Sequence, residues 1–585
     1  MTIIIIKCMI ADYDCLQPQM ELDISLAARV ELGPLLERAY WELSNRGLLI
    51  AARWAADAAA GLDVTWESLP LAPLPLKGMQ AKSYFDNREY LRAWNIVGEG
   101  CNDLQTLFLR LFARYHAGEE RKEDASTCTN ALLNTDEDNS SGINNNNNNN
   151  LLGLKTSTGP VNPYLEEIMA ELVVSEQDAF TKYLRGIIYR AKGQPDRARE
   201  ILMESVTEYP YNWSAWLELK SCLTRLIDTE EVITTLSQKF KSLSNGHNVM
   251  LALFLCHANE EMDPAHSARV LQQKLFKFFP KLSSLLTLLA RIYNGEGQYT
   301  LATELFERVI KEDPYRLDDL DAYSNLLYVT EQKAKLAYLA QHVEATCKYR
   351  TESCCIVANY YSLDEAHEKA VVYYKRALVM NRNYLAAWTL MGHEFIELGN
   401  PQAAIESYRA AISIASYDFR PWFGLGQAYE VLGMHYYGKY YFQRALALRP
   451  GDVRLWDALG NCYELLFQDH EALNAFQQAF DISNGDVYYG YRLGTLYDRV
   501  RDYELANKYF TACAEQADKI DSEREEGDAN EWPSRAQLWL AQRALKKRDY
   551  ITALAWATKV TRGTRDMLEE ARSIEHTARV AAETT

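Results

Sequence analysis

An all-α fold made of tandem helix pairs is predicted from three features of the sequence. First, Trp388, Trp422 and Trp456 stand 34 residues apart, and each is followed at three, four and seven positions by a large apolar residue, a glycine and an aromatic residue. Second, a small residue lies twelve positions after each of these glycines, followed by an aromatic residue and an alanine at fixed offsets. Third, the pattern recurs in seven consecutive registers, which start near residues 283, 317, 351, 385, 419, 453 and 487.

This period of 34 residues is typical of tetratricopeptide (TPR) repeats, in which each unit is a helix, a turn and a second helix. Small residues at the helix crossings let two helices approach to about 8–10 Å, and the large aromatic side chains fill the grooves beside them. We therefore predict an all-α TPR superhelical solenoid of tandem 34-residue helix-turn-helix repeats. Because repeats bury their apolar faces against their neighbours, function is expected in what the surface binds.

The pattern weakens toward both ends of the chain. Upstream, two units start near residues 179 and 213, and a faint one starts near 249; residues such as Tyr40 and Ala52 indicate more divergent helix pairs. Downstream, a further unit starts near 534, after a charged stretch that exceeds the repeat period. Seven consecutive Asn residues at 144–150 cannot bury enough apolar surface to become ordered.

These features divide the chain into seven predicted segments. They are a disordered leader at 1–24, divergent TPR-like helices at 25–133, a disordered Asn-rich insert at 134–152, divergent repeats at 153–282, regular repeats with a peptide-binding groove at 283–520, an acidic loop insertion at 521–533, and C-terminal TPR or capping helices at 534–585.

Composition and motifs argue against several classes of function. The net charge of −18 disfavours nucleic acid or an anionic membrane as a partner and suits basic partner segments. No apolar run reaches the length of a transmembrane helix. The 11 cysteines lack C-x-x-C spacing and the three His-Glu pairs lack a second His, so we expect reduced thiols and no metal. Nucleophile and phosphate-binding motifs are also missing, so we expect no enzyme activity and no cofactor.

The first helix of each repeat is expected to line a concave groove, because positions 2, 5, 9 and 12 share one helix face. Position 9 reads as a series of side chains that can donate and accept hydrogen bonds, as an extended peptide requires: Asn325, Asn359, His393, Gln427 and Asn461. Glu394 beside His393, and Glu430 at position 12, make the groove acidic and suited to Arg side chains. Alternatively, some of these polar groups only cap or link neighbouring helices. Lys and Arg do not occupy position 5, which disfavours a clamp for an acidic C-terminus.

Several stretches resemble one family beyond the generic repeat residues. They include DPYRLDDLDAYSNLLYV at 313–329, CCIVANYYSLDEAHEKAVVYYKRAL at 354–378, AWTLMGHEFIEL at 387–398 and WFGLGQAYEVLGMHYYGKYYFQRALALRP at 422–450. These blocks, with GLLIAARWAAD at 47–57 and YNWSAWLEL at 211–219, are similar to the eighth subunits of the anaphase-promoting complex, or cyclosome. The resemblance covers most of the chain and fails at the leader, the Asn-rich insert, about 228–275 and the acidic insertion.

The resemblance implies a non-catalytic scaffold in the nucleus and cytoplasm. It implies a homodimer formed through the N-terminal repeats, assembly with the other TPR subunits and the large scaffold subunits, and ubiquitin-ligase chemistry carried by other subunits. It also implies that the C-terminal groove receives the Arg-containing N-terminal box of WD40 coactivators, at residues that match Asn325, Asn359 and Glu394. The alternatives are a TPR regulatory module of an enzyme assembly, or an adaptor for protein import or RNA processing.

Overall fold

The computed structural model describes residues 28–64, 74–98, 103–135, 162–174, 178–223, 226–240, 245–258, 260, 264–483, 485–520, 531–560 and 564–584. Within these ranges the regular structure is helical and contains no strand, which confirms the all-α prediction. The predicted leader, residues 136–152 of the Asn-rich insert and residues 521–530 of the acidic insertion lie outside the described residues.

The described residues up to Leu326 form one compact unit, here called the N-terminal unit. Its helices are α1 (Ala28–Asn45), α2 (Leu49–Gly61), α3 (Leu76–Asp86), α4 (Tyr90–Val97), α5 (Leu104–Thr135), α6 (Leu165–Val174), α7 (Ala179–Ala191), α8 (Pro195–Glu208), α9 (Trp213–Cys222), α10 (Leu226–Phe240), α11 (Asn245–Ala258), α12 (Pro264–Val270), α13 (Ser283–Gly295) and α14 (Tyr299–Glu312). A π-helical turn, Leu271–Leu275, extends α12.

The residues from Leu327 onward form a second compact unit, the C-terminal unit, and α15 (Leu320–Val329) contains the boundary. The helices that follow are α16 (Lys333–Thr346), α17 (Thr351–Leu363), α18 (His367–Met380), α19 (Leu385–Glu397), α20 (Pro401–Ile414), α21 (Phe419–Val431), α22 (His435–Leu448), α23 (Val453–Leu465), α24 (Asp469–Ile482), α25 (Val487–Val500), α26 (Tyr503–Ile520), α27 (Glu531–Lys546), α28 (Tyr550–Lys559) and α29 (Arg565–Thr584).

The helix starts follow the repeat frame closely. The first helices of the registers predicted at 283, 351, 385, 419, 453 and 487 begin at those residues, whereas α15 begins three residues after the predicted 317. The units predicted near 179 and 213 begin there as α7 and α9. The faint unit near 249 differs most, because α11 begins at Asn245.

Each glycine of the repeat pattern allows an aromatic ring to approach the first helix. A Cβ atom at Gly392 would lie 2.5 Å from Cε1 of Tyr408, and one at Gly426 would lie 2.4 Å from Cε1 of Phe442. Both rings are fully buried. A side chain at these glycines would displace the ring that fills the helix crossing, which explains why a residue without a Cβ occupies this position.

The repeated tryptophan ties each first helix to the preceding turn. The indole Nε1 of Trp388 donates to the carbonyl of Arg382 at 2.8 Å. Trp456 donates in the same way to Pro450 at 2.8 Å. The indole therefore packs against the repeat while its N–H satisfies a carbonyl six residues earlier, which fixes where the helix begins.

The N-terminal unit is also held by contacts between residues far apart in sequence. Trp54 on α2 stacks on Trp213 at the start of α9, with ring centroids 4.8 Å apart. The carbonyl of Gly61 accepts a hydrogen bond from the backbone N–H of Lys281 at 3.4 Å. Helix α2 therefore packs on repeats that follow it by more than 150 residues.

Candidate peptide-binding groove

The C-terminal unit contains five of the six groove residues predicted from the sequence. Asn359 lies on α17, His393 and Glu394 on α19, Gln427 on α21 and Asn461 on α23. Asn325 belongs to α15 on the N-terminal side of the unit boundary, so it lies outside the C-terminal unit.

Glu394 does not offer its carboxylate to the groove, contrary to the expectation from sequence. Its side chain is buried, with only 4% of the residue exposed. Its carboxylate accepts a hydrogen bond from Oγ of Ser362 at 2.6 Å and lies 2.9 Å from Nδ1 of His367. One residue along a helix rotates the side chain by about 100°, so the neighbour of His393 faces the adjacent repeat. Glu394 therefore links α19 to α17 and α18.

Asn359 is also buried rather than open to the groove. The residue is only 3% exposed, and its Oδ1 accepts a hydrogen bond from the hydroxyl of Tyr374 on α18. Burial of this hydroxyl also raises the pKa of Tyr374 well above its ordinary value, because the charged phenolate is disfavoured away from water. For Asn359, the linking role that the sequence left open is the one the structure shows.

His393 is one of the residues that line an open cavity. Nδ1 of His393 lies 2.8 Å from the hydroxyl of Tyr408, which ties α19 to α20. Burial lowers the pKa of His393 to about 4, so the imidazole is neutral at neutral pH. The cavity has a volume of about 290 Å³ and lies between α19 and α21; its lining residues are His393, Ile396, Glu397, Gln427, Glu430 and Val431.

Glu430 supplies a carboxylate that is still available in this cavity. Desolvation raises the pKa of Glu430, although the nearby His435 opposes the shift. Among the described residues, no hydrogen-bond donor or cation is bonded to this carboxylate. Asp457 on the next first helix likewise has its pKa raised by burial. A guanidinium group that entered the cavity would find a partly desolvated acceptor, where a bidentate pair is stronger than in water.

The side chain of Asn461 already has a hydrogen-bond partner within the same protein. Arg492 on α25 donates to Oδ1 of Asn461 and to the carboxylate of Glu464, the latter at 2.7 Å. Arg499 also pairs with Glu464. The series of groove residues predicted from the sequence therefore divides into buried linkers at one end, an open cavity at His393 and Gln427, and an internally neutralised end at Asn461.

The cavity is lined by positions 9, 12 and 13 of two successive repeats, those that start at 385 and 419. The sequence predicted groove residues at position 9 and an acidic residue, Glu430, at position 12, but it did not predict Ile396, Glu397 and Val431 as lining residues. Their shared positions in the repeat are the signal that could have identified them.

Within the part of the chain that the structure describes, no group of His, Cys, Asp and Glu side chains has the arrangement of a metal site. None of the described helices combines the length and the apolar character needed to cross a membrane.

Comparison with known proteins assigns the family. Residues 76–290 match the family "Anaphase promoting complex subunit 8 / Cdc23", and residues 283–316 and 385–418 match the tetratricopeptide repeat. Anaphase-promoting complex subunit 8 of Dictyostelium discoideum is 33% identical over 410 residues, which cover 62% of this chain and 67% of that protein. The Arabidopsis thaliana subunit 8 is also 33% identical, with 63% of this chain and 66% of the relative covered.

The coverage of other relatives is smaller. Anaphase-promoting complex subunit CDC23 of Saccharomyces cerevisiae is 37% identical, over 42% of this chain and 41% of its own length. Among solved structures, the APC/C hetero-tetramer Cut9-Hcn1 aligns with a TM-score of 0.50 and 16% identity, over 86% of this chain and 96% of that one. At that identity the likeness supports the solenoid fold alone. The sequence matches show that this chain belongs to the anaphase-promoting complex subunit 8 (Cdc23) family.

Proposed function

We propose that this protein is a non-catalytic scaffold subunit of the anaphase-promoting complex that receives the Arg-containing N-terminal box of WD40 coactivators. Its family and its helix-pair architecture support the scaffold role, in which the ubiquitin-ligase chemistry belongs to other subunits. The expected partners are the other TPR subunits and the large scaffold subunits. Affinity purification that yields the protein without any of these subunits would count against the assignment.

The main support for the proposal of coactivator binding is the cavity between α19 and α21, which contains the available carboxylate of Glu430. Its volume of about 290 Å³ accommodates one long side chain of an extended peptide. Gln427 can bond the peptide backbone, and Glu430 can take the guanidinium. We therefore assign the Arg-binding role to Glu430 rather than to Glu394.

The test measures binding of a fluorescein-labelled coactivator N-terminal-box peptide by fluorescence anisotropy. Removal of one partner of a partly desolvated charge pair costs about 2–5 kcal/mol, so Glu430→Gln should weaken binding by at least about tenfold. Glu406→Gln is the matched control, because Glu406 is an exposed carboxylate on the second helix α20. Equal affinities of the two variants would remove Glu430 from the site, and the same peptide with Lys in place of Arg should bind the wild type more weakly.

We further propose that the protein is a two-fold homodimer joined through its N-terminal helices. Helices α1–α4 expose several large apolar side chains, which a second copy could cover: Val30, Trp41, Leu49, Ile50, Leu76, Met79 and Leu91. In an isologous contact each substitution acts twice. Light scattering at micromolar concentration should report a dimer for the full chain and a monomer for Trp41→Glu/Ile50→Glu. A monomeric wild type would contradict the proposal.

The proposed cellular location is the nucleus and the cytoplasm, with no nucleic-acid or membrane partner. A fluorescent fusion that accumulated at a membrane would be inconsistent with it. The two units suggest a division of labour, in which the N-terminal unit serves dimerisation and the C-terminal unit serves peptide binding. Dimerisation variants should therefore leave the peptide affinity of each protomer unchanged.

A further inference from the structure

Three successive second helices of the C-terminal unit carry a local excess of positive charge. Helices α18, α20 and α22 hold six cations and only two carboxylates, Glu368 and Glu406. The six cations, here called the basic surface, are Lys369, Lys375, Arg376, Arg409, Lys439 and Arg444. The next second helix, α24, holds three carboxylates and no Lys or Arg. The net charge of the whole chain is −18, so these three helices are opposite in sign to the chain as a whole.

Aromatic rings and hydroxyl groups, rather than carboxylates, contact these cations. Nζ of Lys375 lies 5.9 Å from the ring centroid of Phe395. Arg409 donates to the hydroxyl of Tyr429 at 3.0 Å. Among the described residues, none of the six is within ion-pairing distance of an Asp or Glu side chain. These neutral contacts leave the positive charge of the cations uncompensated.

The same helices expose large apolar side chains. Val379 on α18 is 87% exposed, and Tyr436 on α22 is 70% exposed. Val372 and Tyr440 are also exposed on these helices. Single exposed apolar residues need no explanation, but on α18 and α22 they alternate in sequence with uncompensated cations. The surface is therefore both cationic and apolar.

We propose that the basic surface docks an acidic segment of a partner polypeptide that carries aromatic or aliphatic side chains between its carboxylates. The uncompensated cations complement the carboxylates, and the exposed valines and tyrosines complement the apolar side chains. A nucleic acid fits less well, because it has no apolar side chains to cover this surface and a long polyanion meets the repulsion of a strongly acidic protein.

This surface is separate from the groove of the proposed function, since it lies on second helices whereas the groove lies on first helices. Arg-containing and acidic segments would therefore bind to different helices of the same unit. Substitutions can therefore disrupt either binding surface without altering residues of the other.

The test uses the full-length protein and a fluorescein-labelled peptide with alternating Glu and Phe residues, followed by anisotropy. The charge-reversal variant Lys375→Glu/Arg409→Glu/Arg444→Glu should bind this peptide at least about tenfold more weakly than the wild type, because each change replaces attraction by repulsion. The wild-type affinity should fall as the salt concentration rises. A peptide of Glu and Ser residues should bind the wild type more weakly than the Glu and Phe peptide.

The matched control is Lys508→Glu/Lys546→Glu/Lys547→Glu, which makes the same charge change at exposed positions on and just after α26 and α27. It should retain the wild-type affinity within about twofold. Circular dichroism establishes that both variants are folded, and retained binding of the coactivator peptide establishes that the groove is intact. Equal loss in both variants, or tighter binding of a single-stranded oligonucleotide of equal charge, would overturn the proposal.

Discussion

The two units of this protein use the same helix-pair unit but are stabilised differently. In the C-terminal unit the repeated glycine and aromatic pairs, such as Gly426 and Phe442, join the two helices of one repeat. In the N-terminal unit, the stacked pair of Trp54 and Trp213 joins helices that are 159 residues apart in sequence. Damage should therefore stay local in the C-terminal unit and spread in the N-terminal unit.

The largest expected effect is the loss of a buried indole. The ring of Trp213 stacks on Trp54, and its centroid also lies 5.3 Å from that of His257. Because Trp213→Ala removes both contacts, we expect it to lower the free energy of unfolding by about 3–5 kcal/mol. Hydrogen exchange should accelerate in α2, α9 and α11 together. The comparison is Trp456→Ala in the C-terminal unit, where faster exchange should be confined to α22, α23 and α24. Equally local exchange in both variants would break the contrast between the units.

The second effect tests the linking role of Glu394. Glu394→Ala leaves the hydroxyl of Ser362 and Nδ1 of His367 without their shared acceptor, which should cost about 1–3 kcal/mol of stability. Glu397→Ala, three residues along the same helix at an exposed position, should change stability by no more than about 0.5 kcal/mol. Thermal unfolding of the two variants gives the comparison. If Glu394→Ala left the melting temperature unchanged, Glu394 would not be a structural link and would again be a candidate groove residue.

The third effect is a pH dependence that both units should share. Burial lowers the pKa of His257 to about 3 in the N-terminal unit and that of His393 to about 4 in the C-terminal unit. Each folded-state pKa lies below the unfolded value near 6.5, so the unfolded state binds more protons between these values and stability is lost as the pH falls through this window. Each histidine should cost about 2 kcal/mol between pH 7 and pH 5.

Urea titrations at pH 7 and pH 5 measure this loss. His257→Gln should reduce the pH dependence of unfolding in the N-terminal unit, and His393→Gln that in the C-terminal unit, as followed by hydrogen exchange in each. A wild-type protein with the same urea midpoint at both pH values would show that neither histidine is buried in its neutral form.

Much of the fold could be predicted from the sequence because the repeat period is set by local packing. Gly392, Gly426 and their aromatic partners define the frame, and most first helices begin at the predicted residue. The stack of Trp54 on Trp213 could not be predicted, since it depends on how successive repeats curve over the whole unit. Repeat spacing contains no information about a contact between α2 and α9.

The site was predicted less completely for a different physical reason. The rule that position 9 faces the groove located His393 and Gln427 at the cavity. It failed for Asn359, which bonds Tyr374, because that tyrosine reaches back from the second helix. It also could not show that Arg492 occupies Asn461, since the pair joins two repeats. Residue type at a fixed position predicts the direction of a side chain but not whether another side chain already holds it.

The smallest expected effect concerns this internal pair and sharpens the contrast within the groove. Arg492 donates to Asn461 and to the carboxylate of Glu464, which also pairs with Arg499. Arg492→Ala removes one of the two cations beside Glu464 and lowers the positive charge near Asp457, for which Arg492 is the nearby guanidinium. The groove becomes more negative, so an Arg-containing peptide should bind about threefold more tightly, the equivalent of about 0.6 kcal/mol for a partly exposed pair.

The control is Arg454→Ala. Arg454 is exposed and pairs with Asp452 at the start of the same first helix as Asn461, so its loss should leave the affinity unchanged. Fluorescence anisotropy with the coactivator peptide compares the two variants. A weaker affinity in Arg492→Ala would mean that Arg492 holds the groove residues in the conformation that binds the peptide, rather than competing with the peptide for them.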